Sequence, residues 1–294
     1  MQDSAPVEKH NLILQALRQP GGLIDKAIAV CEEKMASHPH DSANLHTIVA
    51  MLRGRGDLKR AASIYRILAR LCPNDVQVAR GNAVFQGSPL PPTITPGYQT
   101  APFVRIEGFL NQEEHNHLLN FLTQKRKAFR SSEVAVQDYP NPRSSLVLYE
   151  PDLAEIQAFF TTRVHAQLPH VFPRLGLEPF TPGRTEMQMV SHLDGDYYTL
   201  HRDSRDLDVY RDRRLSYVYY FHKEPATFQG GDLLLYDTDE QNDRCSQVFT
   251  ALEPVNNSIV FFPSHYYHEV TPVSSTSLDL IHCRNALNGW MHGG

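Results

Sequence analysis

The sequence predicts an α+β chain in two parts, an all-helical repeat at the N-terminus followed by an antiparallel sandwich or jelly roll with flanking helices. Three observations carry this prediction. Apolar residues recur at helical spacing from residue 8 to 86, and their pattern repeats after 34 residues. The stretch from Gly87 to Pro102 then turns to Ser-Pro-Leu-Pro-Pro-Thr-Ile-Thr-Pro-Gly, whose prolines neither continue a helix nor donate to a sheet ladder. Beyond Phe180, short runs of β-branched and aromatic residues alternate with turn residues.

A chain of 294 residues has room for one large and one small domain, and the expected division is 1–86, a proline-rich connection 87–102, and 103–294. Lys and Arg number 28 against 33 Asp and Glu, a net charge of −5, so no basic footprint points to nucleic acid or an anionic membrane. Cys31, Cys72, Cys245 and Cys283 are widely separated and form no CxxC pair, and the first residues lack an apolar leader. A reduced, cytoplasmic protein is expected. No apolar run approaches the roughly 18 residues that a spanning helix needs.

In the helical part, Gly22, Ala27, Cys31 and Pro39 recur 34 residues later as Gly56, Ala61, Tyr65 and Pro73. Small residues suit helix crossings, and a proline suits the end of a second helix. The period resembles the tetratricopeptide repeat over about two repeats and a trailing helix. Such arrays form concave surfaces, which implies binding of an extended peptide, docking on the second domain, or a homodimer through the helices.

After the connection, residues 103–106 read as a short strand. Asn111 with Glu114 caps an amphipathic helix carrying Leu118, Leu119, Phe121 and Leu122. A second helix is expected from Asp152, with Glu155 three residues on and Ile156, Phe159, Phe160, Val164 and Leu168 as its core stripe. The basic cluster Lys125, Arg126, Lys127 and Arg130 reads as a solvated helix end. Strands are expected at 186–190, 197–203, 215–222, 232–236, 258–262, 268–270 and 278–284, with a polar loop over 204–214.

Chemistry concentrates at 197–203. On an extended strand His201 and Asp203 share one face with Arg202 opposite, so both could serve one metal ion. A distant second histidine would complete the two-histidine, one-carboxylate facial triad of non-haem iron(II) sites, which leaves positions open for substrate chemistry. His268 is the candidate: the apolar run Ile259-Val260-Phe261-Phe262 leads into it, and it opens a strand. His265 is a rival placed in the preceding turn. The other HxD, His192-Leu193-Asp194, runs into Asp194-Gly195-Asp196, whose turn composition sets that aspartate at a bend. His192 would then face the same cavity from a neighbouring strand.

These residues, together with Gly195-x-x-Tyr198-x-x-His201-x-Asp203, Arg213-x-Leu215-Ser216-x-x-x-Tyr220-Phe221, Gly230-Gly231-Asp232-Leu233, His268-x-Val270-x-Pro272-Val273 and the run from Arg284 to Trp290, resemble the iron(II) and 2-oxoglutarate-dependent oxygenases of the prolyl 4-hydroxylase superfamily. The resemblance spans roughly 103–294 and implies a double-stranded β-helix, a cupin-like jelly roll. It implies Fe(II) held by His201, Asp203 and His268, with Arg284 binding the distal carboxylate of 2-oxoglutarate through paired charge-assisted hydrogen bonds. Ascorbate is implied as an accessory reductant. Collagen-type members carry the basic residue about ten positions after the distal histidine, where this chain has Leu278; alignment on Trp290 selects Arg284 and implies an insertion over 273–280. They also carry a tyrosine nine residues before the first ligand, where His192 stands here. Tyr198, His192 or Ser216 would then contribute to the cosubstrate pocket, while Glu269 or Tyr220 would tune the ligands. A carboxylate at Asp203 favours hydroxylation, since related halogenases have a small residue there.

The function this implies is insertion of one oxygen atom from O2 into an unactivated C–H bond, with release of succinate and CO2. A peptidyl substrate, proline by analogy, fits a chain with a helical array beside such a domain. The alternatives are a free or carrier-tethered amino acid, or an inactive oxygenase fold used for binding through its repeats.

Overall fold

Three aspartates mark where the N-terminal helices begin. In the computed structural model, which describes residues 5–92, 95–132, 143–204, 210–277 and 279–293, the helices are α1 Ala5–Arg18, α2 Leu23–Ser37, α3 Ser42–Arg55, α4 Leu58–Leu71 and α5 Val76–Gln86. Asp41, Asp57 and Asp75 accept backbone N–H groups at the starts of α3, α4 and α5, satisfying donors that the first turn leaves free. The 34-residue offset has a packing counterpart: Cys31 and Tyr65 are buried in one apolar cluster with Ile28, Leu45, Leu52 and Ala61. Pro39 and Pro73 each follow the capping residue of α2 and α4. No helix among the described residues is long and apolar enough to cross a membrane.

The second part contains β1 Val104–Glu107, α6 Gln112–Lys125, β2 Arg130–Ser131, β3 Arg143–Ser144, β4 Leu146–Tyr149, α7 Ala154–His165 and α8 Leu168–Leu175. Strands follow: β5 Pro182–His192, β6 Tyr197–His201, β7 Arg213–Phe221, β8 Phe228–Gly230, β9 Leu233–Asp239, β10 Arg244–Leu252, β11 Ser258–Pro263, β12 His268–Val270, β13 Val273–Ser275 and β14 Arg284–Gly293. The larger sheet runs β1-β11-β7-β14-β5-β4-β2, the smaller β10-β9-β12-β6-β3, and β13 pairs with β8. Helices α6 to α8 cover the outer face of the larger sheet, burying Phe121, Ile156, Phe160 and Val171 against Met189, Tyr219 and Leu287. Between the sheets, Tyr220, Val260, Phe262 and Ala286 of the larger meet Leu233 and Leu235 of the smaller. Helices followed by a sheet-rich domain agree with the predicted order and are consistent with a jelly roll.

The capping box of Asn111 and Glu114 is present. Asp152 is not a cap: α7 begins after Leu153, which makes no side-chain cap bond, and Leu168 starts a separate helix. The strand expected at 278–284 is replaced by a 3-10 turn at Leu280–His282 and the long β14, in which Asn285, Asn288 and Gly289 hide its period. β10 was not foreseen, since Arg244-Cys245-Ser246-Gln247 carries little alternation. Residues 93–94, 205–209 and 278, within the expected connection, polar loop and insertion, lie outside the described residues. The end of the connection is pinned to the barrel, with Gln99 bridged to Thr238 and the Ala101 N–H donated to Asp237.

Candidate metal centre

β6 and β12 are antiparallel neighbours, and His201 stands directly opposite His268. Their rings are 4.1 Å apart. β6 ends at His201, so Asp203 lies just past the strand instead of on it, and the turn before β12 holds it there: the N–H groups of Asp203 and Ser204 both donate to the Ser264 carbonyl at 3.1 Å. An Asp203 oxygen lies 3.8 Å from His201 Nε2 and the other 3.5 Å from His268 Nε2. One ligand atom from each of the three residues falls within 4.8 Å of the others.

The second nitrogens set the tautomers. His201 Nδ1 donates to the Thr199 carbonyl at 2.8 Å and His268 Nδ1 to the Tyr266 carbonyl at 2.9 Å, leaving both Nε2 lone pairs turned toward Asp203. Tyr198 stacks on His201 with centroids 3.6 Å apart, and Phe262 meets His268 edge-on. Ser216 donates its hydroxyl to Asp203 at 2.7 Å. Burial alone would raise the Asp203 pKa, but the adjacent imidazoles of His268 and His201 and the Ser216 hydroxyl overcome it and hold the group below its usual value. Burial, reinforced by His268, lowers His201 to about 3. A neutral His201 imidazole beside an ionised Asp203 carboxylate suits the deprotonated state that a divalent cation requires of its ligands.

That depression has a stability consequence. The unfolded chain protonates His201 near the ordinary value of 6.5 and the metal-free fold only near 3, so below about 6.5 the unfolded state binds the extra proton. This contribution is present above that pH and declines as pH falls toward 3. The expected result is a lower urea midpoint for metal-free protein at pH 5 than at pH 7, with a smaller drop in His201→Gln; equal drops in the two proteins would refute the assignment.

The wall opposite the metal candidates comes from β14, β5 and β7. Arg284 and His192 are register partners across β14 and β5. Arg284 is 2% exposed, donates Nε to the Gly231 carbonyl at 2.6 Å, places Nη1 3.1 Å from His192 Nδ1 and lies over the Tyr220 ring at 5.1 Å. Among the described residues no carboxylate comes within 4.0 Å of its guanidinium. A buried cation with no carboxylate in pairing range, lining the same cavity as the metal candidates, fits an incoming carboxylate. Gly230 and Gly231 both have positive φ, and a Cβ on Gly231 would sit 2.4 Å from Arg284 Cδ, so the turn requires glycine to cradle this stem. Burial first, then the Arg284 charge, pushes the His192 pKa well down; its Nε2 is buried without a hydrogen-bond partner among the described residues.

Of the residues expected in the pocket, His201, Asp203, His268, Arg284, His192 and Tyr198 all line one cavity. Ser216 is spent on Asp203 and on Ser264 Oγ at 2.9 Å. Glu269 does not touch the ligands: β-alternation turns it to the opposite face, where it meets Tyr236 and His10. Tyr220 supports Arg284, and His265 faces Glu240 at 3.0 Å. Arg143, Gln188, Asn288 and Trp290 also line the cavity and were not foreseen as pocket residues. For Asn288 and Trp290 a signal existed, since they lie four and six residues beyond Arg284 on the same strand face.

Residues 187–292 match the 2OG-Fe(II) oxygenase superfamily. Over 188 residues the chain is 34% identical to an uncharacterised PKHD-type hydroxylase of Synechocystis, covering 63% of this chain and 61% of the relative. The chain thus spans about three fifths of the length of that curated relative. Among solved structures it is similar to a Pseudomonas putida prolyl-4-hydroxylase, at 21% identity and TM-score 0.49, covering 66% of this chain and 94% of the other. It is also similar to a Trichoplax adhaerens prolyl hydroxylase solved with a hypoxia inducible factor peptide, at 20% identity and TM-score 0.49, covering 65% and 83%. The family matched over residues 187–292 is one that uses Fe(II) and 2-oxoglutarate.

Proposed function

We propose that this chain is a 2-oxoglutarate-dependent hydroxylase in which His201, Asp203 and His268 hold Fe(II) and Arg284 takes the far carboxylate of 2-oxoglutarate. The observation that carries the reading is the convergence on one cavity of a two-imidazole, one-carboxylate donor set and a buried guanidinium without a carboxylate partner among the described residues. Bound Fe(II) would supply the oxidising chemistry, coupling conversion of 2-oxoglutarate and O2 into succinate and CO2 to insertion of one oxygen atom into a substrate C–H bond.

The chain's own residues supply position and exclusion. Ser216 and the Ser264 carbonyl hold Asp203 in place, Tyr198 limits rotation of His201, and the two backbone carbonyls keep each Nε2 available. His192, kept neutral, offers an Nε2 with no partner among the described residues beside Arg284, the place where the resemblance has a tyrosine. Phe262, Leu233 and Val190 line the cavity with apolar surface and strengthen each charged contact within it.

The substrate in this reading is a peptidyl residue, with proline favoured by the family resemblance and the PKHD-type name of the relative. Residues 1–86 would form a tetratricopeptide-like module, 87–102 its connection and 103–294 the oxygenase domain; helix pairs at a period of 34 support the first of these. Deleting the helices would not test their role cleanly, because Leu14 packs with Leu234, Tyr236 and Ala251 of the barrel. A better test begins with the intact protein. Anaerobic titration with Fe(II) and then 2-oxoglutarate is expected to develop a weak visible charge-transfer band. Incubation in air with peptide and metabolite libraries should then yield a peptide heavier by one oxygen atom, matched by succinate. Folded protein without the band would sink the cofactor assignment, and oxygen gain confined to free amino acids would sink the peptidyl one.

A further inference from the structure

Helix α1 reaches the Arg284 pocket from outside the barrel. Its last residue, Arg18, donates Nη2 to Asp232 at 2.5 Å and Nε to the Gly54 carbonyl at 3.0 Å, so one guanidinium ties α1, the end of α3 and the approach to β9 together. Both members of the ion pair are mostly buried, their side chains 13% and 17% exposed. Asp232 immediately follows Gly231, whose carbonyl receives Arg284 Nε. Thr271 closes the same turn from the other side, accepting the Asp232 N–H at 2.9 Å and donating its own N–H to the Asp232 carbonyl at 3.0 Å.

Two adjacent glycines with positive φ give this turn little stiffness of its own. Its position therefore depends on what clamps its ends. Thr271, the Gly231 N–H donated to the Pro272 carbonyl at 3.3 Å and the pairing of Gly230 with Val273 hold the backbone, and among the described residues Arg18 supplies the ion pair that clamps the Asp232 side chain. We propose that Arg18 is a positioning residue for cosubstrate binding, acting through Asp232 and the Gly230–Gly231 turn to aim Arg284 at the far carboxylate of 2-oxoglutarate. The inference rests on the reading that Arg284 takes that carboxylate. It also makes the helical part a working component of the cosubstrate pocket. The seat of α1 does not depend on Arg18, since Leu14 is buried among Leu234, Tyr236 and Ala251 and His10 meets Glu269 at 2.9 Å. Removing the Arg18 side chain should thus loosen the turn while leaving the helix docked.

The test uses the full chain loaded with Mn(II), a redox-inert stand-in, and calorimetric titration with 2-oxoglutarate. Arg18→Ala is expected to weaken 2-oxoglutarate binding about tenfold, the effect of losing one charge-assisted contact, with Mn(II) affinity unchanged. Arg18→Lys should recover part of the loss, since it restores the charge without the planar fork. A merely structural role would lower the fraction of competent molecules, and so the stoichiometry, without moving the affinity. Arg284→Gln is the control. If it abolishes binding while Arg18→Ala stays within about twofold of the parent, the proposal falls alone. If Arg284→Gln binds 2-oxoglutarate as the parent does, the reading beneath it falls as well. Should Arg18→Ala fail to fold, Asp232→Asn keeps every apolar contact of α1 and carries the same expectation; parental affinity in that variant overturns the proposal.

Discussion

Asp203→Ala is expected to abolish 2-oxoglutarate turnover. Asp203 brings the donor group's negative charge, and it touches both imidazoles: its two oxygens lie 3.8 Å and 3.5 Å from His201 and His268 Nε2. Even residues that only orient metal ligands cost 10–100-fold in metal affinity or activity when replaced, so loss of a ligand itself should exceed about 100-fold. The fold should survive, because Asp203 sits past the end of β6 and its main-chain bonds to Ser264 do not involve the side chain. Metal-induced thermal stabilisation separates the two effects: the parent should gain melting temperature with Mn(II) through mass action on the native state, and the variant should not. Succinate formed by Asp203→Ala at the parental rate would remove Asp203 from the ligand set.

The largest effect on stability is expected at Arg53. This residue of α3 is 2% exposed, pairs with both oxygens of Asp237 on β9, and donates Nε to Thr250 at 3.0 Å. Asp237 also receives the Ala101 N–H at 3.1 Å, so one carboxylate joins the helical part, the connection and the barrel. Arg53→Ala would strand that carboxylate among buried groups, at a cost of roughly 3–5 kcal/mol. Adding Asp237→Asn should restore part of the stability, because much of the penalty is the uncompensated charge and not the lost contact. Urea denaturation of the single and double variants measures both. An unchanged midpoint in Arg53→Ala would mean that α3 does not depend on the barrel in this way.

The metal candidates were legible in the sequence because local rules govern them. Alternation sets His201 and Asp203 on one side, and the apolar run from Ile259 to Phe262 anchors the segment that delivers His268. Arg284 was legible through its spacing to Trp290, although the strand carrying both was not, since Asn285, Asn288 and Gly289 blur its alternation. Asp203 shows the limit of the argument: its side chain reaches the expected place while its backbone has already left the strand. Arg18 with Asp232 and Arg53 with Asp237 were not legible at all. These pairs join residues 214 and 184 positions apart, and no local pattern marks which of 28 basic residues will be buried against the barrel. Arg143 was hidden for a related reason, since it enters the cavity from a two-residue strand with no period to read.

The cross-strand pairing of His201 with His268 also bears on how the molecule recognises its own correct assembly. Strand faces alternate with a period of two, so sliding β12 by one residue would turn His268 outward and bring Glu269 toward the cavity. Such a molecule would have the same composition, yet would lack the second imidazole at the site. A cation held by His201, Asp203 and His268, as proposed, would therefore favour the register that presents both imidazoles. In this chain the ion would act as a proofreader of the sheet as well as the seat of its chemistry.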